Sequence, residues 1–143
     1  MFETIYYEKT ILAQIIYSNY KEEGIKFFTP PDYSQQLGYM NRKKGYVIPP
    51  HVHNPIPRKV IYTQEVLLVK KGKLRVDFYD NQKNYLESRI LKDGDVILLS
   101  KGGHGFEMIE DTEIIEVKQG PFAGDKDKER FIPISSDKLK FTK

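Results

Sequence analysis

The chain carries three histidines, His51, His53 and His104, and their settings suit a single metal site. His51 and His53 are spaced i, i+2, so on a β-strand both imidazoles project from the same face. Glu65 comes twelve residues after His53 and opens the apolar run Glu65-Val66-Leu67-Leu68-Val69. His104 stands in a glycine-rich turn, Gly102-Gly103-His104-Gly105, just after another strand-like run. Three neutral imidazoles and a carboxylate form a donor set suited to a divalent first-row metal. With no cysteine in the chain, thiolate ligands and disulfides are excluded, and any metal must be held by nitrogen and oxygen.

The elements that would position these residues are short and β-rich. Residues 10–17 are apolar and β-branched, and residues 25–28 form a short strand closed by Pro30-Pro31. Residues 32–36 suit one helical turn, and residues 36–41 read as a strand. Residues 46–53 read as a strand broken at Pro49-Pro50, which marks an edge or a bulge because proline cannot donate to a ladder. Residues 65–69 form the next strand. Residues 73–79 alternate polar and apolar side chains, so one face of that strand is expected to be wet. A turn at 80–83 leads to strands at 85–91, 96–99 and 113–119, the last stopped by Gly120-Pro121. Many short strands with Gly, Pro and Asn between them point to an all-β sandwich or barrel. Glu65 shares a face with Leu67 and Val69, so its carboxylate is half-buried and needs a partner, which a metal would supply.

Composition narrows the class. The chain of 143 residues suits one domain with a real core. Net charge is +3, and basic residues are interleaved with acidic ones, as in the Asp125-Lys126-Asp127-Lys128-Glu129-Arg130 run. That argues against a nucleic-acid partner. The first residues show no signal peptide, and no stretch approaches a membrane span. The expectation is a cytoplasmic protein with no membrane partner.

At this point two motifs resemble those of the cupins. Gly45-(five residues)-His51-Val52-His53 with Glu65-(six residues)-Gly72 resembles the first cupin motif. Gly94-Asp95-(four residues)-Ser100-Lys101-Gly102-Gly103-His104 resembles the second. Further segments, among them 36–42, 102–107 and 116–122, are similar to an uncharacterised group of small metal-binding cupins, and the likeness spans most of residues 10–131. The resemblance implies a single cupin-type jelly-roll β-barrel domain over residues 1–143, with a motif region at 45–104 and a C-terminal tail at about 124–143. It implies one divalent transition metal, iron, manganese, nickel or zinc, held in the barrel by His51, His53, Glu65 and His104. The chain departs from the family pattern in the eleven residues between His53 and Glu65, a much longer stretch than usual. It departs also at Ser100, where proline is usual, and at Met108, near where asparagine is common.

Other residues offer chemistry beside the metal. Arg58 and Lys59, in the long loop, would bind a carboxylate or phosphate at the barrel mouth, and Tyr39 would hydrogen-bond a ligand. Glu107 follows His104 by three residues. Glu116 and Lys118 share one face of the last strand while Ile115 and Val117 share the other, so only one set points inward. Glu107, Glu116 and Lys118 are the proton-transfer candidates. The functional expectation is a metal-binding protein acting on a small sugar-like or carboxylate-bearing molecule, as an isomerase, epimerase or oxygenase. The alternatives are a non-catalytic metal- or sugar-binding module, and a metal-free form in which His51 and His53 act as acid and base. A homodimer is expected because the apolar run from Ile11 to Tyr17 would otherwise leave a hydrophobic sheet edge.

Overall fold

The computed structural model describes residues 1–142. Its strands are β1 (Phe2–Tyr7), β2 (Thr10–Ile16), β3 (Gly24–Phe27), β4 (Gly38–Asn41), β5 (Glu65–Lys71), β6 (Lys73–Tyr79), β7 (Tyr85–Lys92), β8 (Val96–Leu99), β9 (Gly103–Met108) and β10 (Glu113–Lys118). Every ladder between these strands is antiparallel. The only helical segments among the described residues are two short 3₁₀ turns, Gly124–Asp127 and Ser136–Lys138. The protein is all-β.

Three sheets result. The largest has the order β1-β2-β8-β5-β10, a second has the order β7-β6-β9, and β3 and β4 form a separate hairpin. The two larger sheets face one another. Ile5, Leu12, Ile15, Leu67, Val69, Ile97 and Leu99 from one meet Leu74, Val76, Phe78 and Leu91 from the other in a single buried cluster. Alternation selects most of these residues, since side chains two apart share a face; Leu12 is out of step with Ile15 because the β1–β2 register shifts between Ile5 and Tyr6. The outer face of the five-stranded sheet carries a smaller cluster, in which Ile16 and Leu98 are covered by Leu37, Phe28, Tyr20 and Tyr39 of the hairpin region. Among the described residues no ladder joins the two larger sheets, so they form an open sandwich rather than a closed barrel.

Several sequence expectations are corrected here. Residues 32–36 form turns and bends, not a helical turn. The run Ile11 to Tyr17 is not a sheet edge: β2 lies between β1 and β8, so the argument for a dimer from that edge falls. Strand β1 is a finding of the structure, since Phe2-Glu3-Thr4-Ile5-Tyr6-Tyr7 carries no clean polar–apolar alternation. His104 lies within strand β9 rather than in a turn, because pairing with β6 overrides the local preference of its glycines. Residues 46–53 join no strand ladder among the described residues and are exposed.

The polar face of β6 is not wet. Arg75 and Asp77 have side chains only 8% and 3% exposed. They satisfy one another through a two-pronged ion pair, Nε to Oδ1 at 2.7 Å and Nη2 to Oδ2 at 3.0 Å. Ser88 on β7 donates to the same Asp77 carboxylate. The C-terminal tail is their roof. Phe131 packs edge-on against Tyr79 with ring centroids 4.9 Å apart, the Ile134 N–H donates to the Tyr79 hydroxyl at 3.0 Å, and the Ser88 N–H donates to the Lys140 carbonyl at 2.8 Å.

Candidate functional site

The inner face of β5 begins with a carboxylate and continues with core. Glu65, Leu67 and Val69 alternate onto one side, and the latter two are buried in the main cluster. Across the sandwich, His104 on β9 sits opposite Phe78 of β6, itself in the core. Glu65 and His104 therefore approach from facing sheets. His104 Nε2 lies 3.1 Å from Glu65 Oε2. The His104 hydrogen bond, reinforced by its charge when protonated and by Lys118 and Lys128, outweighs the cost of burial and holds the Glu65 carboxyl below its ordinary pKa of 4.5.

These two residues stand in the wall of a cavity of about 830 Å³. Thr63 and Glu116 line it beside Glu65, and Arg75, Tyr79, Glu107, Lys128 and Arg130 line it further out. Register explains why Glu116 reaches it. Glu116 is paired with Leu67 and Lys118 with Glu65, so the charged set of β10 shares the inward face. Ile115 and Val117 point the other way and are exposed. Glu107 is on the opposite face of β9 from His104, where its Oε2 accepts from Arg75 Nη1 at 2.7 Å.

The first cupin-like motif is placed elsewhere. His51 and His53 lie next to one another on the exposed 42–62 segment, with ring centroids 5.1 Å apart. The Nδ1 of His51 is 2.9 Å from the Pro49 carbonyl. Among the described residues no group of three or more His, Asp or Glu side chains is gathered in metal-holding geometry. The structure thus unites Glu65 with His104, and His51 with His53, and leaves the two pairs apart. Arg58 lies on the same exposed segment. Lys59 lines a second, smaller cavity of about 200 Å³ together with Tyr62 and Lys101. Tyr39 is a packing residue, edge-on to Tyr20 at 4.9 Å.

Glu65 and His104 are of donor types that divalent metals take, an imidazole nitrogen and a carboxylate oxygen. The 3.1 Å contact between them is a hydrogen bond in this structure. Sequence reasoning missed Arg75, Asp77, Tyr79, Lys128 and Arg130 as cavity residues. The first three were legible only as the wet face of an alternating strand, and the last two only as part of a solvated charge run. Comparison with family models, with curated proteins and with solved structures returns no match.

Proposed function

We propose that this chain is a cupin-type jelly-roll protein that holds one divalent transition metal and acts on a small sugar-like or carboxylate-bearing molecule. The observation that carries this reading is the meeting of His104 and Glu65, from facing sheets, at the wall of a large cavity. Glu65 and His104 would supply two of its ligands; His51 and His53, the other two that the motif resemblance implies, lie apart from them within one subunit. Bound there, the ion would supply Lewis-acid polarisation of a carbonyl or a site for oxygen chemistry.

The chain's own residues would divide the remaining work. Lys128 and Arg130 line the outer cavity and would draw an anionic substrate inward. Arg75 is already committed to Asp77 and Glu107, so it fixes the Glu107 carboxylate rather than meeting substrate with a free fork. Glu116 is placed on the inner wall to take or give a proton, while Lys118 favours the charged form of Glu65. The apolar core beneath Glu65 and His104 excludes water from one side of the pair and strengthens its electrostatics.

Metal analysis by mass spectrometry on protein purified without added metal tests the reading. The unaltered chain should carry close to one equivalent of a first-row metal. His104→Ala and Glu65→Gln should each lower affinity by at least about 10–100-fold, the size of effect already seen for groups one step removed from a metal. Metal-free wild-type protein that fails to take up iron, manganese, nickel or zinc in titration would end it.

A further inference from the structure

Strand β9 is the outermost strand of its sheet, paired with β6 on one side and with no described strand on the other. Its two faces are distinct. His104 stands opposite Phe78 and looks toward the core, while Gly105 and Glu107 stand opposite Asp77 and Arg75 on the other face. The large cavity is bounded by residues from both faces, His104 and Glu65 from within and Arg75, Asp77 and Glu107 from without. It therefore extends around the free edge of β9, between that edge and residues 127–134 of the tail.

The chain also carries a strand-like segment with nowhere to go. Every residue from 41 to 62 is exposed. Among them are Val47, Val52 and Ile61, which are 74%, 88% and 73% exposed, as well as Tyr46, Ile48, Ile56 and Val60. Four of the chain's eight prolines fall here, at 49, 50, 55 and 57. They restrict the backbone and bias the segment toward extended conformations, while its two ends are held to their own subunit, Lys43 by Glu23 and Tyr62 beneath Lys101.

Charge links the two. Residues 42–62 contain Arg42, Lys43, Lys44, Arg58 and Lys59 and no acidic residue. Residues 103–117, which include β9 and the turn after it, contain Glu107, Glu110, Asp111, Glu113 and Glu116 and no Lys or Arg. Two of these acids are partly neutralised, Glu107 by Arg75 and Glu110 by Lys73.

We propose that the arm of one copy adds to the free edge of β9 in a second copy, reciprocally, and that each cavity receives His51 and His53 from its partner. The occupant is a second copy of this chain. Strand addition satisfies the unpaired backbone of β9 and buries apolar residues of the arm. The two-fold exchange makes a closed, self-complementary dimer. The i, i+2 spacing puts both imidazoles on one face, and the register that turns that face inward sets them beside His104. Of the consecutive prolines 49 and 50, one must face β9, so the new ladder is interrupted there, as an edge strand tolerates. The part that concerns the histidines rests on the metal reading above; the exchange of arms does not.

Co-expression of two differently tagged chains separates the possibilities. One carries His51→Ala with His53→Ala and the other carries His104→Ala; each alone should lose its metal. In the purified mixed dimer, one cavity keeps its own His104 and receives intact His51 and His53 from the partner, so metal should return to about half the wild-type content. Wild-type protein that binds metal beside a mixed dimer that does not would overturn the proposal, since the histidines would then act within one chain. Where wild type binds no metal, the functional reading fails and crosslinking alone decides the exchange. The chain has no cysteine, so Val47→Cys and Met108→Cys supply the only thiols. A bis-maleimide should join these two single variants, when mixed, at twice the chain mass. A link formed only within the doubly substituted chain at monomer mass, or a sedimentation profile of monomer alone, would refute it.

Discussion

At the scale of single residues, Arg75 and Asp77 satisfy one another beneath the tail, and Glu65 meets His104 from the facing sheet. The half-burial of Glu65 was legible, because it shares its face with Leu67 and Val69; its direct contact with His104 was not, since His104 read as a turn residue. The burial of Arg75 and Asp77 was not, because alternation alone cannot show that a distant tail returns to cover the polar face. Asp77 satisfies both the guanidinium of Arg75 and the hydroxyl of Ser88. Asp77→Ala leaves a buried cation and a hydroxyl without that carboxylate and should cost about 3–5 kcal/mol of folding free energy by chemical denaturation. A second ion cluster ties the first strand to β7. Glu3 accepts from Arg89 Nε and Nη2 at 2.9 and 2.8 Å and from the Tyr17 hydroxyl at 2.7 Å. Burial alone would raise the Glu3 pKa, but these donors together hold it below 4.5. Burial, with the Glu3 carboxylate beside it, pushes the Tyr17 phenol up. A carboxyl with a depressed folded pKa stabilises the protein above its unfolded pKa, and that contribution is lost as pH falls through the folded value. Glu3→Gln should therefore be less stable than wild type by about 1–2 kcal/mol at pH 7, the scale of hydrogen bonds to charged groups trimmed for partial exposure. The gap should close in the acid range below pH 4.5. A gap unchanged down to pH 2 would show that the carboxylate charge is not what Glu3 contributes.

At the scale of elements, β6 was legible from its polar–apolar alternation and β8 from its continuous apolar run, both with the bounds observed. The failures have specific causes. The Gly102-Gly103-His104-Gly105 stretch has the composition of a turn, yet Gly103 and Gly105 pair with Tyr79 and Asp77 in a ladder. Glycine is there for space. A Cβ on Gly103 would press on the Phe131 ring and the Tyr79 Cβ. Gly102 is the true turn residue, at a φ of +72°, and a Cβ on it would meet the Tyr79 carbonyl at 2.5 Å. Relief would require the start of β9 to move, and His104 would move with it. Gly102→Ala should thus destabilise the fold by about 1–3 kcal/mol and weaken metal retention together with it. His104→Ala, by contrast, should remove metal with the metal-free fold little changed. Comparing metal-free melting with metal content for the two variants distinguishes displacement of the strand from loss of the ligand.

At the scale of the molecule, an all-β architecture was legible from the frequency of strands and turns, whereas the way the sheets meet was not. Alternation assigns faces but does not say whether an edge is closed by its own chain, by another, or by none. Residues 46–53 show the gap most clearly: their pattern suits a strand, and no described strand of the same subunit receives them. The charges on the arm and around β9 give this question a measurable form. If the basic arm docks on the acidic β9–β10 region of a partner, long-range attraction speeds encounter, and salt screens it over about 10 Å at 0.1 M and about 3 Å at 1 M. The apolar side chains of the arm respond in the opposite sense, since burial is not weakened by screening. Dimer association should therefore slow by roughly tenfold or more between 0.05 and 0.5 M sodium chloride, while dissociation changes much less. Replacing Arg42, Lys43 and Lys44 by Gln should flatten that salt dependence and leave a slower, apolar-driven association. Fluorescence-detected subunit exchange with singly labelled protein measures both rates. An association rate indifferent to salt in the unaltered chain would mean that these charges do not meet across an interface.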